Sequence, residues 1–591
     1  VESDLSRLTG SFHLNLTAFG FLSFAVGLFI VYSAIGLAFE QRRSMFRTMR
    51  ALGLPLKALV LLLCAELLTL SAAAGLIGVA LGYAIASLLI PDVAATLKGL
   101  YGAEVPGSLS VRPSVWLMGL AIAVAGTMGS AAAQLWRIIR MPLLAPARPR
   151  AWSLASETSV RLQAIGGVAL LCVSAAAAAW GSGIVAGFMG LGALLLGAAL
   201  LLPLLLSGVL KLGAHGSRGV VAQWFWSDTR QQLPGLSLAL MALLLALSAN
   251  AGVGTMVESF RLTFTGWLDQ RLASELYLTT RSPEESQKVK AWLETRSDAV
   301  LPIWNSEVQL FGQPVQVFGV ADHATYRDNW PMLEALPGAW DAVARGEALL
   351  ANEQLARRVP LALGQRVTLG DGRSLEVAGV FSDYGNPRGQ IMVSTALLTE
   401  LYPDANRLRY AVRIAPEKAD ALAAEVRAAF ALPPENVIDQ ASVKAFSLRI
   451  FERTFAVTAA LNVLTLGVAF LAILASLVTL AGMRLPQLAP AWAMGMTLKR
   501  LAWLEIWRSM ALAAFTMAAS VPVGLALAWL LLAVINVEAF GWRLPMHVFP
   551  LDWLRLLVLA LVSAGVAALV PALRLARLRP ADLLKVFAHE R

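Results

Sequence analysis

Nine stretches of the chain are long and apolar enough to cross a lipid bilayer: residues 14–39, 56–90, 116–136, 162–180, 184–208, 236–258, 455–481, 501–535 and 552–573. A hydrocarbon core takes about 20 apolar residues as one helix, because each backbone N–H and C=O inside it must be paired within its own segment. That pattern argues against a soluble globular fold and against a disordered chain. Composition agrees, since 58% of the 591 residues are hydrophobic and only 15% are charged, against about 25% charged in ordinary soluble domains. Runs 56–90 and 501–535 exceed what the core demands, so their ends are expected to project into water or tilt.

The net charge of +10 would suit nucleic acid if it were gathered in one soluble region. Instead it sits in short connections. Arg42, Arg43, Arg47, Arg50 and Lys57 follow the first span, and Arg137, Arg140, Arg148 and Arg150 follow the third. Lys211 and Arg218 follow the fifth, Arg484, Lys499 and Arg500 the seventh, and Arg574, Arg577, Arg579 and Lys585 the ninth. The even-numbered connections are poor in base or acidic, as around Asp92 and Glu104. Cytoplasmic loops hold the Lys/Arg excess, so the first span starts outside and the C-terminus lies inside. No nucleic-acid partner is needed.

Residues 259–452 are the one extended polar stretch, and this topology puts them outside the cytoplasm. Pro283–Ala299 and Ala415–Ala429 have helical spacing. VTLGDGRSLEVAGVF (367–381) reads as a hairpin turning at Asp371–Gly372, and PVQVFGV (314–320) and YAVRI (410–414) read as strands. The expected fold is therefore a polytopic α-helical membrane protein, with nine spans here and ten expected in full, carrying an α+β extracytoplasmic domain.

Catalytic and metal chemistry find no support. Cys64 and Cys172 lie in separate apolar runs, His323 has no clustered partner, and neither a GxSxG nor a GxxxxGK[ST] pattern occurs. No catalytic residue, no metal site and no cofactor in this chain are expected.

An internal repeat runs through the membrane segments. ALGLPLKAL (51–59) aligns with AMGMTLKRL (493–501), pairing Ala51 with Ala493, Gly53 with Gly495, Lys57 with Lys499 and Leu59 with Leu501. At the same offset Arg42 meets Arg484 and Gly82 meets Gly524. The second copy has a preceding span and an outer domain that the first lacks. Together with Val1 in place of Met and no basic n-region, this reads as a fragment missing one upstream span and one outer domain. The implied division is a stub at 1–13, a first unit at 14–150, two linking spans within 151–215, the first span of the second unit at 216–258, the outer domain at 259–452 and three spans in 453–591.

The segment EQRRSMFRTMRALGLPLKAL (40–59), followed by Glu66, resembles the signature of FtsX-like permeases, the superfamily that includes MacB-type ABC transporter permeases. Arg42, Arg43, Arg47, Ala51, Leu52, Gly53 and Glu66 carry the match. ARRVPLALGQRVTLGDGRSLEVAGVFSDYG (356–385) is similar to that family's outer domain. The second copy departs from the pattern, with Pro486 and Pro490 in its basic segment and Arg508 where the first copy has Glu66. The resemblance implies a multi-pass inner-membrane permease whose ATP and Mg are held by separate cytoplasmic ATPase chains, two for one double-unit permease. It further implies mechanotransmission from those ATPases to the outer domain, on a hydrophobic or lipid-linked substrate. The alternative is an FtsX-like regulator or scaffold that activates an extracytoplasmic enzyme without transport, bound to an extracytoplasmic protein. A membrane-embedded enzyme ranks third.

The candidate ATPase-coupling residues are Arg42, Arg43, Met45, Phe46, Arg47, Met49, Arg50, Ala51, Leu52 and Gly53 in the first copy. In the second they are Arg484, Leu488, Trp492, Ala493, Met494 and Gly495. A helix there puts Met45, Met49 and Leu52 on one face, suited either to a groove in an ATPase or to the lipid interface. Within the spans, Glu66, Glu505 and Arg508 are costly charges expected to be paired or functional. Gly78 with Gly82, and Ser520 with Gly524, have the small-residue spacing that lets helices approach, either between the two halves or against any neighbouring span.

Overall fold

The computed structural model describes residues 45–101, 112–139, 149–369, 372–384, 388–445 and 491–577 without interruption, with scattered residues between 20 and 42 and between 386 and 478. The expected stub, most of spans 14–39 and 455–481, and Arg43, Arg484 and Leu488 lie outside the described residues. Contacts divide the chain into two compact units. One comprises Leu16–Met256, Ala456–Val534 and Met546–Arg591, and the other is built from Val257–Phe455 with Ile535–Pro545.

In the membrane unit, α1 (Leu56–Tyr101) and α2 (Pro113–Ile139) pack on each other. Helices α3 (Pro149–Trp180) and α4 (Ile184–Gly216) form a tight hairpin. A Cβ at Gly167 would lie 2.8 Å from the Gly197 carbonyl, and one at Gly197 would lie 2.9 Å from that of Gly167. Only residues without side chains allow two backbones that close. Helix α5 (Val220–Arg271) is 52 residues long and runs unbroken from the membrane unit into the outer one. Nearly every apolar side chain from Leu236 to Val253 is buried. A helix that is apolar all round must be encased, and this one is.

The outer unit holds two sheets. The smaller is antiparallel, in the order β11–β1–β10–β2, from β1 (Leu276–Thr279), β2 (Ala299–Pro302), β10 (Arg409–Arg413) and β11 (Val437–Asp439). It packs on α6 (Pro283–Glu294) and α11 (Pro416–Phe430) through Leu276, Leu278, Val289, Leu293, Val412 and Val426. The larger runs β3–β4–β9–β6–β8–β5, from β3 (Trp304–Leu310), β4 (Gln313–Val320), β5 (Met332–Ala335), β6 (Ala348–Asn352), β8 (Ser374–Phe381) and β9 (Gly389–Ser394), with β7 (Arg366–Thr368) on β8. Short helices α7 (Ala324–Asn329), α8 (Ala339–Ala344), α9 (Glu353–Arg358) and α10 (Thr395–Leu401) connect them. The expected hairpin forms, pairing Thr368 with Ser374 around Gly372 at φ 87°. Helix α6 starts on a Ser282 cap with Pro283 in its first turn, but ends at Glu294. The expectation of helix to Ala299 is corrected there, because Ala299 opens β2 by pairing with Arg413.

The membrane unit resumes with α12 (Leu498–Leu530), capped by the Thr497 side chain. A π turn (Leu531–Ile535) and α13 (Asn536–Phe540) follow, and α14 (Pro550–Ala576) closes the described chain. Helices α12 and α14 pack together, and α4 packs on α12. In all, seven helices among the described residues are long and apolar enough to span a membrane.

Candidate functional site

The two copies of the basic motif fold alike. In the first, Gly53 (φ 101°) donates its N–H to the Arg50 carbonyl at 3.1 Å, and Leu54 donates to that of Met49 at 3.1 Å. In the second, Gly495 (φ 102°) donates to Trp492 at 2.9 Å, and Met496 to Ala491 at 3.2 Å. Each pair is a Schellman closure, which needs a left-handed residue and so favours glycine. The new helices then start in the same register: Leu59 bonds the Pro55 carbonyl and Leu501 that of Thr497.

Exposure follows the repeat. Leu52 is 83% exposed and Met494, at the matching position, 80%. Met45 and Met49 share the open side, as do Ala51, Ala493, Gly53 and Gly495. Arg42 is exposed, while Arg47, Arg50 and Trp492 are half-buried. Phe46 differs from its neighbours. It is buried edge-on to Phe39, among Leu59, Leu63 and Ile138, so it anchors the segment and presents nothing outward.

The charged side chains of the two copies behave differently. Glu66 accepts from Arg42 at 2.6 Å in a pair that is nearly half exposed. Arg508, at the matching position, is 1% exposed. Its guanidinium donates to Asp228 (2.6 Å), Gln232 (2.7 Å), Thr229 (3.0 Å) and Glu505 (3.1 Å). Gln232 donates in turn to Asp228 at 2.7 Å. A buried cation is tolerated only when its donors are met by charged or polar acceptors. Here α5 and α12 are clasped by one. Sequence reasoning singled out Arg508 and Glu505 but missed Asp228, Thr229 and Gln232. The SDTRQQ run ahead of span 236–258 held the signal, since positions 228, 229 and 232 share a helical face.

The small residues divide in the same way. Gly524 and Ser520 lie against α5: a Cβ on Gly524 would stand 2.8 Å from Ala251 Cβ, and the Ser248 hydroxyl donates to the Ser520 carbonyl at 3.3 Å. Their contact is with the neighbouring span, not with the first half. Among the described residues, a Cβ on Gly78 or Gly82 would meet nothing within 4 Å. In the first copy the close approaches are instead Gly75 with Ala123 and Gly119 with Val79.

Among the described residues no three His, Cys, Asp or Glu side chains converge to hold a metal ion. The His323 ring accepts the Thr325 N–H and so caps α7.

Repeated sets of apolar helices, each launched by the same glycine closure, with an α+β outer domain between them, are the build of a multi-pass permease with duplicated membrane units. The FtsX-like permease C-terminal model matches residues 17–143 and again 459–580, and the MacB-like periplasmic core domain model matches 236–429. The chain is 30% identical to an uncharacterized ABC transporter permease protein, Rv0987, of Mycobacterium tuberculosis, across 97% of this chain and 70% of that one. Among solved structures, the periplasmic region of MacB from Actinobacillus actinomycetemcomitans is similar at 11% identity and TM-score 0.23, covering 29% of this chain and 91% of that one. The extracellular domain of the transporter YknZ from Gram-positive bacteria is similar at 14% and 0.21, covering 28% and 98%. The chain belongs to the FtsX/MacB-type ABC transporter permeases, multi-pass proteins of the inner membrane with a periplasmic domain.

Proposed function

We propose that this permease works by mechanotransmission: ATPase subunits on the cytoplasmic face, holding ATP and Mg, move the two exposed motif segments, and α5 carries that movement into the outer domain. The supporting observation is the duplicated closure at Gly53 and Gly495. It sets one exposed apolar side chain, Leu52 or Met494, at the same place ahead of a long span in each half. Exposed apolar knobs suit a groove on a partner protein, and Arg47 and Arg50 stand close ahead of the first of them. Two such segments in one chain imply two ATPase subunits per permease. Because no substrate passage between the halves is needed, a hydrophobic or lipid-linked substrate handled by the outer domain fits this reading.

The test is the mass and composition of the complex isolated from its own membranes in mild detergent. Two ATPase chains per permease are expected. Two permease chains per complex would overturn the stoichiometry, and no ATPase after crosslinking with ATP present would overturn the coupling. A stable outer-protein complex without substrate movement would favour the regulator.

A further inference from the structure

Two segments that lead directly from membrane spans end on one buried polar patch of the outer unit. The first is the end of α5. Trp267 Nε1 donates to the Ser382 carbonyl at 3.0 Å and its ring meets that of Tyr384 at 6.1 Å. One turn on, the Arg271 guanidinium lies 3.8 Å from the Asp383 carboxylate and 4.2 Å over the Trp330 ring. The second is the loop after α13. The Arg543 N–H donates to the Glu353 carboxylate at 3.0 Å, and the Trp542 ring also meets that of Tyr384, at 6.5 Å. Gly541, at φ 79°, leaves its Cβ position 3.7 Å from Gln354 Cα.

The receiving patch is held by its own bonds. Gln354 donates to the carbonyls of Asp383 and Asn386, and the Asn386 amide donates to the Asp383 carboxylate at 2.7 Å. Asn352 donates to the Arg388 carbonyl at 2.9 Å while its oxygen caps Leu355 and accepts from Gln390. Asn352, Glu353, Gln354, Ser382, Asp383, Tyr384 and Trp542 are all buried. Burial pushes the Asp383 carboxyl above its ordinary range, with Arg271 opposing. The network nevertheless keeps spare capacity: Trp542 Nε1, a donor, and Glu353 Oε2 and Gln354 Oε1, two acceptors, have no partner among the described residues. An unmade bond on a buried polar group is costly. A buried donor and acceptors left open on facing segments call for an explanation, and a second register at this contact would supply one.

We propose that this patch is the joint through which both membrane-anchored segments hold the outer domain, with Glu353 and Asp383 as positioning residues and Trp542 as the contact that shifts. The proposal rests on the mechanotransmission reading and names where the movement is received.

The test uses the full chain in its native ATPase complex, with spin labels at Glu425→Cys on α11 and Leu212→Cys on α4, and Cys64 and Cys172 replaced. A change in label distance on adding ATP is expected in the parent. Glu353→Ala and Asp383→Ala should abolish that change while ATP hydrolysis continues, and Glu353→Gln, which keeps the acceptor for Arg543, should restore it. Trp542→Phe keeps the ring and removes the N–H, and should reduce the change even if the alanine variants fail to fold. An unaltered distance change in folded Glu353→Ala or Asp383→Ala, or in Trp542→Phe, overturns the joint. No change in the parent itself would instead overturn mechanotransmission.

Discussion

Removing the Arg508 side chain should be among the most damaging single changes in the membrane unit. Arg508→Ala leaves the carboxylates of Asp228 and Glu505, whose side chains are each 10% exposed, without their shared cation. It also strips the acceptors of Thr229 and Gln232 of a donor. Breaking a buried pair from one side costs about 3–5 kcal/mol, because the remaining charge stays buried and uncompensated. The first copy supplies the control. Arg42→Ala breaks the matching pair with Glu66, where the side chains are 47% and 40% exposed, so the freed carboxylate is not sealed inside the protein. An exposed pair contributes under about 1 kcal/mol. At about 2 °C per kcal/mol for a large domain, thermal unfolding in one fixed detergent should fall by about 6–10 °C for Arg508→Ala and by no more than about 2 °C for Arg42→Ala. Replacing the three charges together, as Arg508→Met with Asp228→Leu and Glu505→Leu, should recover most of the loss, since no bare charge remains. Equal shifts for the two arginine variants, or a triple variant worse than Arg508→Ala, would refute the reasoning.

The matching glycines should respond in opposite ways to one substitution. Gly524→Ala meets Ala251 at 2.8 Å and the Ser248 carbonyl at 3.2 Å, so it should cost about 1–3 kcal/mol by overpacking; Gly82→Ala meets nothing within 4 Å among the described residues and should gain about 0.5–1 kcal/mol from helix propensity. Thermal unfolding of the two variants reads both. Leu52→Glu and Met494→Glu should leave unfolding unchanged but weaken ATPase binding by about tenfold or more each, about 1.4 kcal/mol, in a pull-down titration. If neither weakens binding, the exposed knobs are not the coupling contact. For Asp383 the folded carboxyl sits above its unfolded value near 3.9, so the folded state binds more protons between the two. Its contribution is therefore fully present below pH about 4 and is lost as pH rises through the raised value. Asp383→Asn should flatten that part of the unfolding profile, and an unchanged slope would refute the assignment.

Much of this architecture was legible because two of its rules act locally. A span must be a long apolar run, so the helices from Leu56 to Ala576 fell where the runs did. A left-handed helix end favours glycine, so Gly53 and Gly495 mark the repeat in the sequence itself. What the sequence hid is what depends on distant partners. Arg508 was visible as a costly charge, but its main acceptor lies 280 residues away on α5. The strands LYLT, AVLP and VID are three or four residues long and become strands only by pairing with β10 or with one another. Local pattern gives no warning of that, so helical spacing runs on to Ala299 although α6 ends at Glu294. Phe46 shares its segment with exposed neighbours in the sequence, yet its burial depends on Phe39 and on α1 and α2. The joint at Glu353 and Asp383 was not legible at all, because its pieces come from four separate places in the chain.

The different fates of position 66 and its counterpart at 508 bear on how such a chain can change over time. Where a two-fold assembly is made from two identical chains, every substitution is written twice, and a charge placed near the axis faces its own copy. Joined in one polypeptide, the halves are released from that rule. One can carry an open carboxylate–arginine pair while the other buries an arginine inside a clasp of its own. Each half then answers to selection separately, free to specialise in docking or in bracing, while the tether keeps their ratio at one to one.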